Sequence, residues 1–317
     1  MRRRFGVLGG LLAALLIAAP AAAITTGQPD AGEHPYVGQL LFYVPEAADS
    51  RFNDPGAWYN CSGTLVTPTI VLTAGHCVWD VGEEGDANAD GDAGTDIWFT
   101  VEEAADYSGL QPSWTFVPDG NDERYDQWSG WLDSASSPWV SGTAYPHPEY
   151  DDNAFFFHDL GVVVLDEPIY LDEYGQLPTL NYLEQFGRQP RNDLRFETVG
   201  YGLEKSRVNL AEGGDTRRKA NVMLVSLTAH PANSYAVFSA NKGQAHQGGT
   251  CFGDSGGPVF HDTGDDEIIV AVNSWAQNYS CAGKTGGYRV DQADDLEWLL
   301  EEFGISAANT GDAAVVN

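Results

Sequence analysis

The chain reads as all-β. Short runs rich in Val, Ile, Tyr, Phe and Trp recur between turn residues, and 36 Gly and 16 Pro supply the punctuation for many turns. Helical periodicity is clear only near the C-terminus. At 317 residues the length suggests about two structural units. With 43% hydrophobic and 12% aromatic residues, the composition is that of a folded globular protein rather than a disordered one.

The elements follow in chain order. Arg2, Arg3 and Arg4 precede an apolar run from Phe5 to Pro20, and Ala21-Ala22-Ala23 offers a small-residue cleavage site. Residues 1–23 are therefore expected to be a signal peptide, leaving a mature chain of 24–317 outside the cytoplasm, extracellular or periplasmic. The apolar run is shorter than a membrane span needs, so no stable membrane insertion is expected. Three arginines suit an ordinary signal and also resemble a twin-arginine one, so both routes stay open. Strands are expected at Gln39–Val44, Thr69–Leu72, Phe196–Val199, Asn221–Val225 and Ile268–Val272. A helix is expected over about 294–303, with Leu296, Leu299, Leu300 and Phe303 on one face and Gly304 ending it.

The formal net charge of −30 becomes −33 once the three signal arginines are gone. Such a chain has little electrostatic affinity for nucleic acid or anionic lipid. A hydrated acidic surface and adaptation to a salty medium both fit this balance. Four cysteines in an exported chain favour disulfides over thiols, and their spacing lacks the tight pattern of a zinc site.

The chemistry is concentrated in three separated motifs. Cys251 stands two residues ahead of Gly253-Asp254-Ser255-Gly256-Gly257-Pro258, Thr73-Ala74-Gly75-His76-Cys77 lies far upstream, and His158-Asp159-Leu160-Gly161-Val162 falls between them. Ser255 sits among glycines that allow a tight turn. Its hydroxyl needs a base, and an imidazole suits that task near neutral pH. The order His, Asp, Ser resembles that of the trypsin/chymotrypsin-type serine proteases, over roughly Ile24 to Phe303.

That resemblance implies two six-stranded antiparallel β-barrels of the chymotrypsin type with a short C-terminal helix. The first barrel would span about 36–169 and the second about 180–290. It implies a catalytic triad of His76, Asp159 and Ser255, and an oxyanion hole from the N–H groups of Gly253 and Ser255. Ser274, in Asn273-Ser274-Trp275, aligns with the family serine that bonds the catalytic aspartate. Disulfides Cys61–Cys77 and Cys251–Cys281 are implied, as is an activation ion pair between the Ile24 ammonium and Asp254. Because Ile24 directly follows Ala23, signal cleavage itself would free that ammonium, with no zymogen stage. Tyr59, where zymogen-forming relatives often hold a histidine, agrees. His158 replaces a common asparagine, and neither His147 nor His158 lies in the histidine motif.

Gly249, six residues before the serine, marks the floor of the implied substrate pocket, with Phe252, Ser274, Trp275, Ala276 and Gly286 around it. Trypsin-like relatives place aspartate at that floor, so glycine points to apolar side chains and chymotrypsin- or elastase-like cleavage. Arg/Lys cleavage is the alternative if an acid from another loop reaches the slot. Protein or peptide substrates and protease inhibitors are the expected partners, and a monomer the expected state. Competing classes are a catalytically silent binding protein on the same fold and an acidic calcium-dependent adhesin.

The spacing of 83 residues between His76 and Asp159 exceeds that of relatives and places an acidic, aromatic insertion at about 82–141. Within it, Asp86, Asn88, Asp90, Asp92 and Asp96 resemble a calcium loop lacking its bidentate glutamate. A structural calcium and a solvated acidic loop both fit; no cofactor is required for the chemistry. Trp98, Trp114, Trp128, Trp131 and Trp139 are expected to pack this insertion on the first barrel.

Overall fold

Two rings of antiparallel strands carry the chain, as seen in a computed structural model that describes residues 24–45, 47, 55–82, 94–110, 121–187, 194, 196–207, 210–228, 233–240 and 248–311. The expected leader, Trp114 and the acidic positions Asp86, Asn88, Asp90 and Asp92 lie outside the described residues. After a two-residue strand β1 (Gln28–Pro29), the first barrel comprises β2 (Val37–Val44), β3 (Ala57–Leu65), β4 (Ile70–Thr73), β5 (Gly94–Thr100), β6 (Val140–Pro146) and β7 (Gly161–Leu165). It closes in the order β2-β3-β4-β7-β6-β5, with β5 returning to β2.

The second ring begins with β8 (Phe196–Gly200), followed by a hairpin of β9 (Leu203–Arg207) and β10 (Leu210–Gly213). It continues through β11 (Arg218–Ser226), β12 (Tyr235–Ala240), β13 (Pro258–Asp262), β14 (Glu267–Ala276) and β15 (Gly283–Arg289). Pairing runs β8-β11-β12-β15-β14-β13 and back to β8, while β1 adds to β11. Full closure removes the open edges that a flat sheet of these lengths would expose.

Alternation predicts one buried face per strand, yet β2 is buried on both. Leu40 and Phe42 enter the barrel core with Val71, Phe99 and Val163. Leu41 and Tyr43 face outward and are covered by the insertion, whose helix α1 (Asn121–Leu132) brings Trp128 and Leu132 against Trp58 and Trp98. Trp139 and Leu110 complete this second cluster, and Trp131 packs at its margin. Trp128 is 1% exposed, its ring 5.2 Å from that of Trp58. Trp128, Trp131 and Trp139 thus pack the insertion onto the first barrel, whereas Trp98, expected with them, belongs to barrel strand β5. Asp96, expected in the acidic loop, lies instead on barrel strand β5, where it accepts a hydrogen bond of 2.6 Å from Tyr125 of α1.

The C-terminal helix α2 spans Ala293–Phe303, and Gly304 closes it at φ +68°, a conformation that favours glycine. Its inner face differs from the expected leucine stripe. Asp295 and Leu299 are buried and Trp298 and Phe303 pack on the core, but Leu300 is exposed. Leu300 follows Leu299 by about 100° of helical turn, which carries it off a face centred on Asp295 and Leu299. No helix among the described residues is long and apolar enough to cross a membrane.

Candidate active site

The histidine turn grows out of β4. Extended Ala74 leads into a single 3-10 turn, Gly75–Cys77, and the Cys61–Cys77 disulfide ties that turn to β3. Gly75 is required by closeness: a Cβ there would lie 2.9 Å from the Tyr150 ring. Asp159 arrives from the segment before β7, fully buried. His76 Nδ1 lies 3.0 and 3.1 Å from its two carboxylate oxygens, and the His76 backbone N–H donates to Oδ1 at 3.0 Å. Ser274 Oγ donates to the other oxygen, and Tyr235 O–H lies 3.0 Å from Ser274 Oγ. Tyr235 lies in no motif, so nothing local in the sequence marks it.

This geometry sets the charges. Burial would push Asp159 up, but the His76 ring, its hydrogen bonds and Ser274 hold its carboxyl below the ordinary range. Burial alone would push His76 down; the Asp159 charge and hydrogen bond outweigh it and raise the ring, with a smaller push from Asp152.

Ser255 follows a turn whose shape demands glycine. Asp254 N–H bonds Cys251 O at 3.1 Å, and Gly253 sits at φ +95°, the signature of a type II turn. Phe252 O accepts from Leu203 N–H at 2.8 Å. In a trans peptide the N–H opposes the C=O, so the Gly253 N–H points away from Leu203. By the same reasoning Asp254 O, held by Gly257 N–H at 3.0 Å, turns the Ser255 N–H outward. Neither N–H has an acceptor among the described residues, whereas their neighbours are spent: Gly253 O on Ser62 Oγ at 2.9 Å and Ser255 O on Ser62 N–H at 2.8 Å. The serine turn is thereby held by both barrels, since Gly256 N–H bonds Asn273 O at 2.8 Å.

His76 and Ser255 line the same cleft, but no hydrogen bond joins them. Two cavities flank them. One, of about 310 Å³, is walled by Thr250, Phe252, Ser274, Trp275 and Ala276, with Tyr150, Asp152 and Phe155 opposite. The other, of about 630 Å³, opens beside Gly253 and is lined by Phe42, Tyr59, Trp79, Tyr107 and Leu203. Phe252 stands between the two, half exposed, its ring 5.3 Å from Tyr279. The Cys251–Cys281 disulfide braces the smaller cavity.

One sequence expectation needs correction. Gly249 and Gly286 do not line the slot beside Ser255. Gly249 exchanges backbone hydrogen bonds with Thr25, and Gly286 lies beneath the Trp275 indole, where a Cβ would meet the ring at 2.1 Å. The ion pair expected between the Ile24 ammonium and Asp254 cannot form while residue 23 is attached. In this uncleaved chain the Ile24 nitrogen is an amide, and Asp254 accepts instead from Gly202 N–H at 2.7 Å and Cys251 N–H at 2.8 Å. Burial without a cation among the described residues pushes Asp254 up to about 7. Ile24 itself is fully buried at φ +54°, strained for a β-branched residue.

Comparisons with known proteins bear on the family and the fold. A family profile described as Trypsin matches residues 131–296. The chain is 28% identical over 257 residues to "Trypsin" of Saccharopolyspora erythraea, covering 78% of this chain and 88% of that protein. It is 23% identical over 247 residues to "Chymotrypsin-like elastase family member 1" of Bos taurus, covering 75% and 76%. The solved structure of HL collagenase matches with a TM-score of 0.58 at 17% identity, covering 89% of this chain and 100% of that one, a likeness of fold.

Proposed function

The chain belongs to the trypsin family and is a serine endopeptidase, and from that premise we propose that it cleaves peptide bonds with Ser255 as nucleophile, His76 as base and Asp159 as the group orienting His76. The observation that carries this reading is the buried Asp159 carboxylate gripping the His76 ring through Nδ1. With the Nδ1 proton committed to Asp159, Nε2 is left to take the Ser255 proton as Oγ attacks the carbonyl carbon. The Gly253 and Ser255 N–H groups receive the oxyanion, an interaction worth about 3–4 kcal/mol in such sites. His76 then protonates the leaving amine, and water, activated by the same ring, releases the acyl group. The absent His76–Ser255 hydrogen bond forms when substrate closes the site, as such contacts tighten in the Michaelis complex. Labelling by a fluorophosphonate probe tests the assignment. The natural chain should label and Ser255→Ala should not; equal labelling of both would remove Ser255 from the role.

For the side chain before the scissile bond, the reading is apolar. Phe155, Phe252, Trp275 and Ala276 wall the smaller cavity, which favours burial over ion pairing. One observation favours basic side chains: Asp152 also reaches that wall. Rates on Phe, Leu, Ala and Arg amides separate the two, since Arg far above the rest, abolished by Asp152→Asn, would establish the second.

The two disulfides and the leader-like start support export, with peptide or protein substrates met outside the cytoplasm and Ile24 as the first mature residue. N-terminal sequencing of the secreted protein checks this; a start elsewhere than Ile24 would remove the signal-cleavage route to the active terminus.

A further inference from the structure

A second cluster of chemistry-bearing side chains lies where the N-terminal segment crosses the second barrel, sharing no residue with the cleft. His34 is 1% exposed and stacks on Phe260. Its Nδ1 is bonded to the buried carboxylate of Asp30, which also accepts from Arg217 at 2.9 Å. Its other nitrogen, Nε2, faces two carboxylates from different strands. Glu267 at the start of β14 places both oxygens 3.2 Å away, and Glu197 of β8 places one at 3.4 Å. Tyr36 O–H fixes Glu267 at 2.7 Å, and Lys219 Nζ lies 3.1 Å from Glu197.

We propose that His34 Nε2, Glu197 and Glu267 bind one divalent ion of the zinc class. Ligand spacing is the first argument. Donors about 2.0–2.2 Å from a tetrahedral zinc stand about 3.4 Å from one another, close to the separations of His34 Nε2 from both glutamates. The surrounding hydrogen bonds are the second. A carboxylate on the far nitrogen of a ligating histidine fixes its tautomer and raises its basicity, the part Asp30 plays here. Charge is the third. Asp30, Glu33, Glu197 and Glu267 meet two fixed cations, Arg217 and Lys219, leaving an excess of two negative charges. A divalent ion with a neutral imidazole balances that excess, whereas a protonated imidazole balances half of it.

Glu267 also forms part of the wall of a surface cavity of about 580 Å³ lined by Asp172, Glu173, Asp262, Asp265 and Asp266. This acidic vestibule gives a cation a route in. Water would complete the coordination on the exposed side, and the Nε2 proton leaves to solvent as the metal binds. The competing occupant is that proton: burial pushes the ring down, yet Asp30 and Glu267 raise it to about 9. The bound ion would clamp the segment before β2 onto β8 and β14.

The test uses the full chain, stripped with chelator and titrated with Zn²⁺ by calorimetry and with Co²⁺ by visible absorption. One equivalent should bind with micromolar or tighter affinity, Co²⁺ should show intense four-coordinate bands, and saturating Zn²⁺ should raise the melting temperature by about 5 °C. Glu267→Gln and Glu197→Gln should each lose binding by tenfold or more. His76→Ala and His147→Ala should keep it, which separates this site from the triad histidine and from the His147, His158 and Asp295 group. Because the Co²⁺ spectrum is read on the natural chain, a variant that fails to fold leaves the test intact. Absence of a bound equivalent, binding unchanged in both glutamine variants, or binding abolished by His76→Ala or His147→Ala would each overturn the proposal and leave His34 a protonated clamp.

Discussion

Freeing the Ile24 nitrogen should change how stability depends on pH, and the buried Asp254 sets the size of the effect. In the uncleaved chain Asp254 is raised from 3.8 to about 7 by burial. The folded state then keeps a proton that the unfolded chain sheds above about 3.8, so stability falls as pH rises through that window and levels off above 7. At about 1.4 kcal/mol per pKa unit, the ionised carboxylate costs about 4 kcal/mol at pH 8. An ammonium at residue 24 supplies the missing cation, and breaking such a buried pair costs about 3–5 kcal/mol, a matching scale. Two forms should be prepared with Ser255→Ala to prevent self-cleavage, one beginning at Ile24 and one retaining Ala22 and Ala23. Urea melts from pH 4 to pH 8 should show the extended form losing about 4 kcal/mol relative to the other. Parallel stability curves would refute the reasoning, because they would mean that Asp254 never meets the new terminus.

Three further outcomes are expected. Since Asp159 raises His76 above 6.5, the stabilisation from their pairing is complete below 6.5 and is lost as pH climbs through the raised value. Activity moves oppositely, so the acid limb of kcat/KM should have its midpoint above 6.5 and shift downward in Asp159→Asn, as pH–rate profiles would record. Gly256→Ala should cost 3 kcal/mol or more, about the scale of a severe packing change, because φ is +77° and a Cβ would sit 2.0 Å from Thr73 Oγ1; denaturant melts of the inactive form measure it. Trp128→Ala should cost about 3–5 kcal/mol by emptying the outer aromatic cluster, while leaving KM for small amide substrates unchanged.

Five strands were legible because they announce themselves locally, whereas their closure into two barrels followed only from the family resemblance. Ile268–Val272 and Gln39–Val44 are β-rich runs between turn residues, and their surroundings let those preferences prevail. Helix α1 was not legible. Asn121–Leu132 is polar, and its shape depends on tryptophans that find partners on β2, β3 and β5, contacts no local pattern contains. The site divides similarly. His76, Asp159 and Ser255 stand in motifs whose glycines and cysteines mark tight turns. Gly249 and Gly286 were misplaced because a slot's lining depends on where a ring comes to rest, here Trp275 over Gly286. Asp152 and Tyr235 had no signal at all, being ordinary residues given a role by the neighbours that folding brings.

The way the nucleophile's loop is pinned bears on when this protein becomes dangerous to its surroundings. One half contributes Ser62 and the other contributes Asn273, so neither half alone can shape the loop. A nascent or partly unravelled chain therefore has no cutting edge to turn on its siblings. Hazard arrives only with the docking of the two halves, and parting them undoes the loop.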